Sequence, residues 1–286
     1  MILGFGHTGR VRQIERYVAI GDSATEGLAD PDPRGGYRGW ADRLAMILSQ
    51  EGDQPVRYAN LGIRGMVAAE VRALQFDRAM AMEPDLLTIT AGINDCLALV
   101  TDFDTVTDHL TAMYSEARGH GITVMTFNVP DPVKINPLAT GPIRERVLAL
   151  NEIQRRECAR YGVLLLDLEH YEIAGDRRLW YDDRLHGNAL GHRRVAHGMA
   201  SLLGLPGHDH WQEPLPEGVE HQLRRQRIAN DLDWARQHFG PWLVKGLRGI
   251  RQGAGIEAKR PELTLVEVAD PDETDAPEEL PTPSAP

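Results

Sequence analysis

The chain has 286 residues, 42% of them hydrophobic, and a formal net charge of -11 at pH 7. This length suffices for one large domain, or for one domain with an extension. The acidic balance argues against a nucleic-acid partner, which would favour a basic face. No apolar run reaches transmembrane length, and the first residues hold no stretch long enough for a signal peptide. We therefore expect a cytoplasmic protein without a membrane span.

Five short apolar runs alternate with segments of helical periodicity, after a lead-in over about residues 1–15. Runs bounded by Gly or polar residues are typical of buried strands, and apolar residues spaced three and four apart are typical of helices. The predicted strands are 18–20, 56–61, 85–90, 122–128 and 163–168. The predicted helices are 35–50, 66–82, 105–118, 143–160 and 188–203, and the proline-containing stretch 131–142 is predicted to be a loop.

Nearly every predicted strand is a continuous apolar run, as in parallel sheets whose strands are buried on both faces. The pattern predicts an α/β fold, a three-layer α/β/α sandwich with a five-stranded parallel sheet and right-handed crossovers, over residues 1–204. Residues 205–252 carry a sparse apolar set, which predicts one or two amphipathic helices packed on the domain. Residues 253–286 are acidic and Pro-rich, and we expect a disordered tail.

Four polar stretches lie at strand ends or near the end of the α/β region. The stretches are Gly21-Asp22-Ser23, 60–65 (N-L-G-I-R-G), 92–95 (G-I-N-D) and 183–186 (D-R-L-H). The first three follow strands, and the carboxyl ends of parallel strands share one rim, where ligands bind in open α/β sheets. We therefore expect the polar residues of these stretches to meet at one site.

Acyl transfer requires a nucleophile, a base, a carboxylate that orients the base, and donors for the oxyanion. Ser23 can attack, His186 can accept its proton, and Asp183 can hold the imidazole in the required tautomer. The backbone N–H groups of Ser23 and Gly62 and the side-chain amide of Asn94 can converge on an oxyanion. The predicted site is therefore a Ser23-His186-Asp183 triad with an oxyanion hole.

In order, the four stretches read G-D-S, N-x-G-x-x-G, G-x-N-D and D-x-x-H. In this the chain resembles the SGNH hydrolase superfamily, also called GDSL esterases and lipases, over about residues 16–204. The resemblance implies a flavodoxin-like five-stranded sheet and a Ser-His-Asp hydrolase without metal or cofactor. Ala24 stands where the family name implies leucine, which leaves the chemistry untouched. The D-x-x-H spacing selects Asp183 over the adjacent Asp182.

Each site residue has a structural alternative when taken alone. Ser23 could cap a helix, Gly62 could begin a loop, and Asn94 could be a turn or cap residue. Two pairs of histidines, His186/His192 and His208/His210, invite a metal interpretation, but zinc sites need three or four closely spaced ligands. We expect neither a metal nor a cofactor.

The leading functional prediction is a serine esterase that cleaves a small or lipid-like ester or thioester through an acyl-serine intermediate. Its partner is then a small-molecule ester substrate. A carbohydrate O-acetyl esterase and an acyltransferase use the same residues and remain alternatives. A catalytically silent binding module is the alternative of a different class. The sequence determines neither the acyl group, the alcohol nor the oligomeric state.

Overall fold

The described residues of the computed structural model, 14–98, 100–216 and 255–268, form a mostly parallel sheet with helices on both faces. The amphipathic helices predicted within 219–250, the lead-in over residues 1–13 and the acidic last 18 residues lie outside this description. No helix in the described ranges is long and apolar enough to cross a bilayer.

The sheet has six strands in the spatial order β5-β4-β3-β1-β2-β6. The strands are β1 (Arg16–Gly21), β2 (Arg57–Asn60), β3 (Leu86–Thr90), β4 (Thr123–Phe127), β5 (Leu164–Leu166) and β6 (Arg260–Leu265). The first five pair in parallel, as predicted. In this order β1 lies at the centre, with β3 on one side and β2 on the other, so the loops after these three strands are neighbours.

All five predicted helical segments are helical in the structure, and three further α-helices of four residues each were not predicted. The α-helices are α1 (Ser23–Glu26), α2 (Gly39–Glu51), α3 (Ala68–Val71), α4 (Asp77–Ala81), α5 (Ile93–Cys96), α6 (Phe103–Gly119), α7 (Pro132–Ile135), α8 (Pro142–Tyr161) and α9 (Ala189–Leu202). A π-helical segment, Arg72–Phe76, joins α3 to α4. Helix α7 lies within the predicted loop 131–142, because Asp131 caps a single turn whose first residue is Pro132.

Two apolar layers enclose the sheet. On one face α2 and α9 pack together, and residues such as Trp40, Leu44 and Met199 are buried there. On the other face α6 and α8 pack together over residues such as Leu110 and Val147. This arrangement confirms the α/β sandwich, and α9 begins at Ala189, three residues after His186.

The sixth strand corrects the predicted five-stranded sheet and the expectation of disorder from residue 253. Strand β6 pairs antiparallel with β2 at the sheet edge. Lys259, just before it, forms a salt bridge with Asp42 at 3.0 Å and donates to the Tyr37 carbonyl at 3.0 Å. The strand is mostly solvent-exposed and contains Pro261, as edge strands tolerate. Such a strand has little apolar periodicity, so the sequence pattern did not predict it.

Candidate active site

Ser23 occupies the first position of α1, immediately after the end of β1. The strand ends at Gly21, where φ is 150° and a Cβ would lie 2.3 Å from Thr90 Oγ1. Only glycine fits this close approach. Asp22 then caps the helix, since its Oδ1 accepts from the Ala24 N–H at 3.0 Å. The turn presents Ser23 at the rim of the sheet, as the sequence predicted.

The Ser23 backbone N–H has no acceptor among the described residues. It belongs to the first turn of α1, where N–H groups lack partners within the helix. An N–H in this position is available to a negatively charged atom bound beside the Ser23 side chain.

Asp183 and His186 lie in a tight turn before α9. The turn is closed by the Tyr181 N–H, which donates to the His186 carbonyl at 2.8 Å, and by Arg184, whose φ is 58°. His186 Nε2 lies 2.9 Å from Ser23 Oγ, and His186 Nδ1 lies 2.7 Å from Asp183 Oδ2. The turn thus brings a residue 163 positions away in sequence into hydrogen-bonding contact with Ser23.

The carboxylate contact determines which ring nitrogen of His186 carries the proton. An ionised Asp183 only accepts hydrogen bonds, so Nδ1–H donates to it and Nε2 is left to accept from the Ser23 hydroxyl. Burial raises the pKa of Asp183, but the hydrogen bond and charge of His186 and two backbone N–H groups outweigh it and hold the pKa below its ordinary value. The neighbouring Asp182 is exposed and makes none of these contacts.

Asn94 lies beside Ser23, held by two hydrogen bonds. Its Nδ2 donates to Asp22 Oδ2 at 3.0 Å and to the Met66 carbonyl at 2.9 Å. Asp22 therefore links the Ser23 turn to Asn94 through its two carboxylate oxygens. Burial raises the pKa of Asp22 from 3.8 to about 6, against the hydrogen bond from Ala24 and the charge of His186.

Gly62 lies in the loop after β2, but its N–H is already engaged. It donates to Asn60 Oδ1 at 2.9 Å, and a Cβ at Gly62 would lie 2.8 Å from atoms of Thr25 and Glu26. The observed role of Gly62 is close packing of this loop on α1, and its role as an oxyanion donor stays a prediction. Gly65, the second glycine of the motif, has φ of 80° and an N–H with no acceptor among the described residues.

Two supporting contacts were not predicted from the sequence. Buried His192 on α9 accepts from the Trp40 N–H at 3.1 Å, and its Nε2 lies 3.0 Å from the Leu28 carbonyl. Its burial lowers its pKa to about 4, so it is neutral. Buried Glu26 accepts from the Arg64 backbone N–H at 2.9 Å and from its guanidinium. Periodicity gave no signal for either, because both depend on contacts distant in sequence.

A cavity of about 110 Å³ opens beside Ser23, Asn94 and His186. It extends between the sheet and α9, and its lining is mostly aliphatic and aromatic. No group of three or more His, Cys, Asp or Glu side chains in the described ranges is arranged to hold a metal ion. Cys96 is buried, which raises its pKa to about 12, and its thiol lies 3.4 Å from the Arg146 carbonyl. We therefore assign Cys96 to packing.

Solved structures with a similar fold include an esterase and an enzyme described as an alpha/beta hydrolase. A mutant of Axe2, an acetylxylan esterase from Geobacillus stearothermophilus, has a TM-score of 0.56 and 17% identity, covering 70% of this chain and 97% of its own. TesA has a TM-score of 0.54 and 20% identity, covering 66% of this chain and 97% of its own. An alpha/beta hydrolase enzyme from the metagenome of Lake Arreo, Spain, has a TM-score of 0.51 and 23% identity, covering 67% of this chain and 95% of its own. At these identities the likeness shows the fold.

Comparison with curated proteins finds no match. The model of the GDSL-like Lipase/Acylhydrolase family matches residues 19–194. This range is more than half of the chain and contains Ser23, Gly62, Asn94, Asp183 and His186. It also runs from within β1 through β5 to the first six residues of α9, the elements that hold these residues together. The chain therefore belongs to the GDSL-like lipase/acylhydrolase family and is a hydrolase that acts on ester bonds.

Proposed function

We propose that the chain is a serine esterase in which Ser23 is the nucleophile, His186 the general base and Asp183 the orienting carboxylate. The observation that carries this proposal is the continuous hydrogen-bonded series from Ser23 Oγ through both ring nitrogens of His186 to Asp183 Oδ2, at 2.9 and 2.7 Å. Distances of this size are those expected between a nucleophile, its base and the residue that orients the base.

The reaction follows from these contacts. Ser23 Oγ attacks the ester carbonyl as His186 Nε2 takes its proton, and Asp183 stabilises the imidazolium. The same proton then passes to the leaving alcohol, which gives an acyl-Ser23 ester. Water, deprotonated by His186, attacks this ester, and the proton returns to Ser23 as the acid leaves.

The tetrahedral intermediates carry negative charge on the former carbonyl oxygen. We propose that the Ser23 N–H and the Asn94 amide stabilise it. A third donor comes from the loop after β2, where Gly62 is the predicted residue and Gly65 has the N–H without an acceptor among the described residues. For Asn94 to contribute, one of its hydrogen bonds, to Asp22 or to Met66, must be shared with the substrate oxygen.

Catalytic mutants of a structurally similar enzyme support this assignment of roles. Catalytic mutants of Axe2 replace a serine, an aspartate and a histidine, and the last two lie three positions apart. Asp183 and His186 have the same separation. Axe2 is an acetylxylan and acetyl-xylooligosaccharide esterase, which favours a carbohydrate O-acetyl esterase as the second candidate function.

The test is labelling with a small fluorophosphonate, followed by peptide mapping. We expect one equivalent of label on Ser23, and we expect Ser23→Ala to abolish both labelling and hydrolysis of p-nitrophenyl esters. Ser115→Ala is the matched control, because Ser115 lies on α6, in the helix layer that contains α8. We expect this variant to retain both labelling and hydrolysis. Labelling elsewhere, or hydrolysis by Ser23→Ala above a few per cent of the wild-type rate, would place the nucleophile at another residue.

A further inference from the structure

We propose that the cavity beside Ser23 binds the acyl chain of the substrate, and that it fits an apolar acyl group of about six carbons. This inference rests on the proposed role of Ser23 and adds the substrate class. It therefore separates this chain from esterases whose acyl group is acetyl.

The cavity begins at the reacting groups and continues into the protein. Ser23, Asn94 and His186 border its opening. Its inner wall includes Trp40, 1% exposed, and Trp211, 4% exposed. A chain attached to the acyl carbon of acyl-Ser23 can therefore enter this space.

The wall of the cavity suits hydrocarbon and disfavours sugar. Aromatic rings contribute much of this wall, and the ring centroids of Trp40 and Phe127, which pack edge to face, lie 5.2 Å apart. His192 also lines it, but both ring nitrogens already have backbone partners. Of the other polar groups, Arg194 donates to the His210 carbonyl, and the Trp40 indole N–H is a single buried donor without an acceptor among the described residues. A carbohydrate placed here would therefore lose most of its hydrogen bonds to water without replacement. The apolar part of the substrate therefore occupies the cavity.

The size of the cavity limits the length of the chain. Its volume is about 110 Å³, somewhat below the roughly 150 Å³ of an engineered cavity that binds benzene. About six carbons therefore fill it. Each buried methylene is worth about 0.8 kcal/mol, or about fourfold in kcat/KM. Hexanoate should thus exceed acetate by about 10²-fold, and decanoate should gain nothing further.

The test is the chain-length profile of p-nitrophenyl acetate, butyrate, hexanoate, octanoate and decanoate. We expect kcat/KM to rise to a maximum near hexanoate. A maximum at acetate, or a rise that continues through decanoate, would overturn the assignment. Fluorophosphonate labelling of the same preparation separates the two proposals. Labelled Ser23 with an acetate preference contradicts only the cavity, whereas unlabelled Ser23 contradicts the proposed nucleophile.

Variants of Val195 test the location of the chain. Val195 lies on α9 and lines the cavity. Val195→Phe fills the space, and we expect hexanoate kcat/KM to fall at least tenfold while acetate stays within about threefold. Val195→Ala enlarges the space and should move the maximum toward octanoate, which keeps the test informative if the larger side chain prevents folding.

Val268→Phe makes the same substitution at a 48% exposed position and serves as the control. It should leave the profile as in the wild type. If the Val195 variants fold, as judged by thermal melting, and keep the wild-type profile, the acyl chain lies outside this cavity.

Discussion

Asp22 is a buried carboxylate whose ionisation should be visible in the pH dependence of stability. Its pKa is raised from 3.8 to about 6, mainly by burial. The pKa of Asp22 is higher in the folded state than in the unfolded state, so the folded chain binds the carboxyl proton more tightly. The stability that comes from this protonation is lost as pH rises from about 4 to about 6. A difference of about two pH units corresponds to about 3 kcal/mol.

The perturbation is Asp22→Asn, which cannot ionise. Between pH 4 and pH 7 we expect the variant to gain about 2 to 3 kcal/mol in unfolding free energy relative to the wild type. Urea unfolding at several pH values measures this difference. Esterase activity should nevertheless fall, because Asp22 Oδ2 is the acceptor that holds Asn94.

Asp183→Asn is the control of opposite sign. The pKa of Asp183 is held below its ordinary value by His186 and backbone N–H groups, against the effect of burial. Its stabilising contribution is therefore present above the unfolded pKa and lost as pH falls, so this variant should lose stability relative to the wild type as pH rises. If Asp22→Asn and the wild type show parallel pH profiles, burial imposes no cost on the Asp22 carboxylate and the reasoning fails.

Three further predictions concern the site and the sheet edge. Asp183→Asn should lower kcat by up to about 10⁴, while exposed Asp182→Asn should change it little; equal losses would contradict the choice of carboxylate. Asn94→Ala should lower kcat by about 10² to 10³ with a small effect on KM; a change within threefold would make Asn94 structural. Truncation after Ala254 removes β6 and the half-buried Lys259–Asp42 ion pair and should cost about 1 to 3 kcal/mol of stability, whereas truncation after Val268 should cost little; equal melting temperatures would show that β6 contributes nothing.

The parallel sheet is confirmed, and Ser23, His186 and Asp183 lie within hydrogen-bonding distance of one another in series, for a shared physical reason. Strands β1 and β3 are buried on both faces, so they appear as apolar runs with clear ends. The polar residues at those ends must lie on one rim of a parallel sheet. Asp183 and His186 could be paired from their spacing, because residues three positions apart lie close together in a single tight turn.

The remaining features depend on contacts that no local pattern encodes. Strand β6 is an exposed edge strand, and its pairing with β2 joins residues about 200 positions apart. The engagement of the Gly62 N–H by Asn60 depends on a side-chain orientation within one loop. His192 resembles any helical histidine until α2 and α9 are packed together. Each is a consequence of tertiary packing, which periodicity and motif spacing do not report.

The central claim is that Ser23 carries the acyl group, and acid quenching during turnover of a p-nitrophenyl ester tests it most directly. Mass spectrometry of the quenched enzyme should show one added acyl group, mapped to the peptide that contains Ser23, with a matching burst of p-nitrophenol. Ser23→Ala should show neither the adduct nor the burst. Two results would contradict the account. The first is turnover by the wild type with neither adduct nor burst, under conditions where hydrolysis of an acyl-enzyme would be rate-limiting. The second is an adduct on a residue other than Ser23.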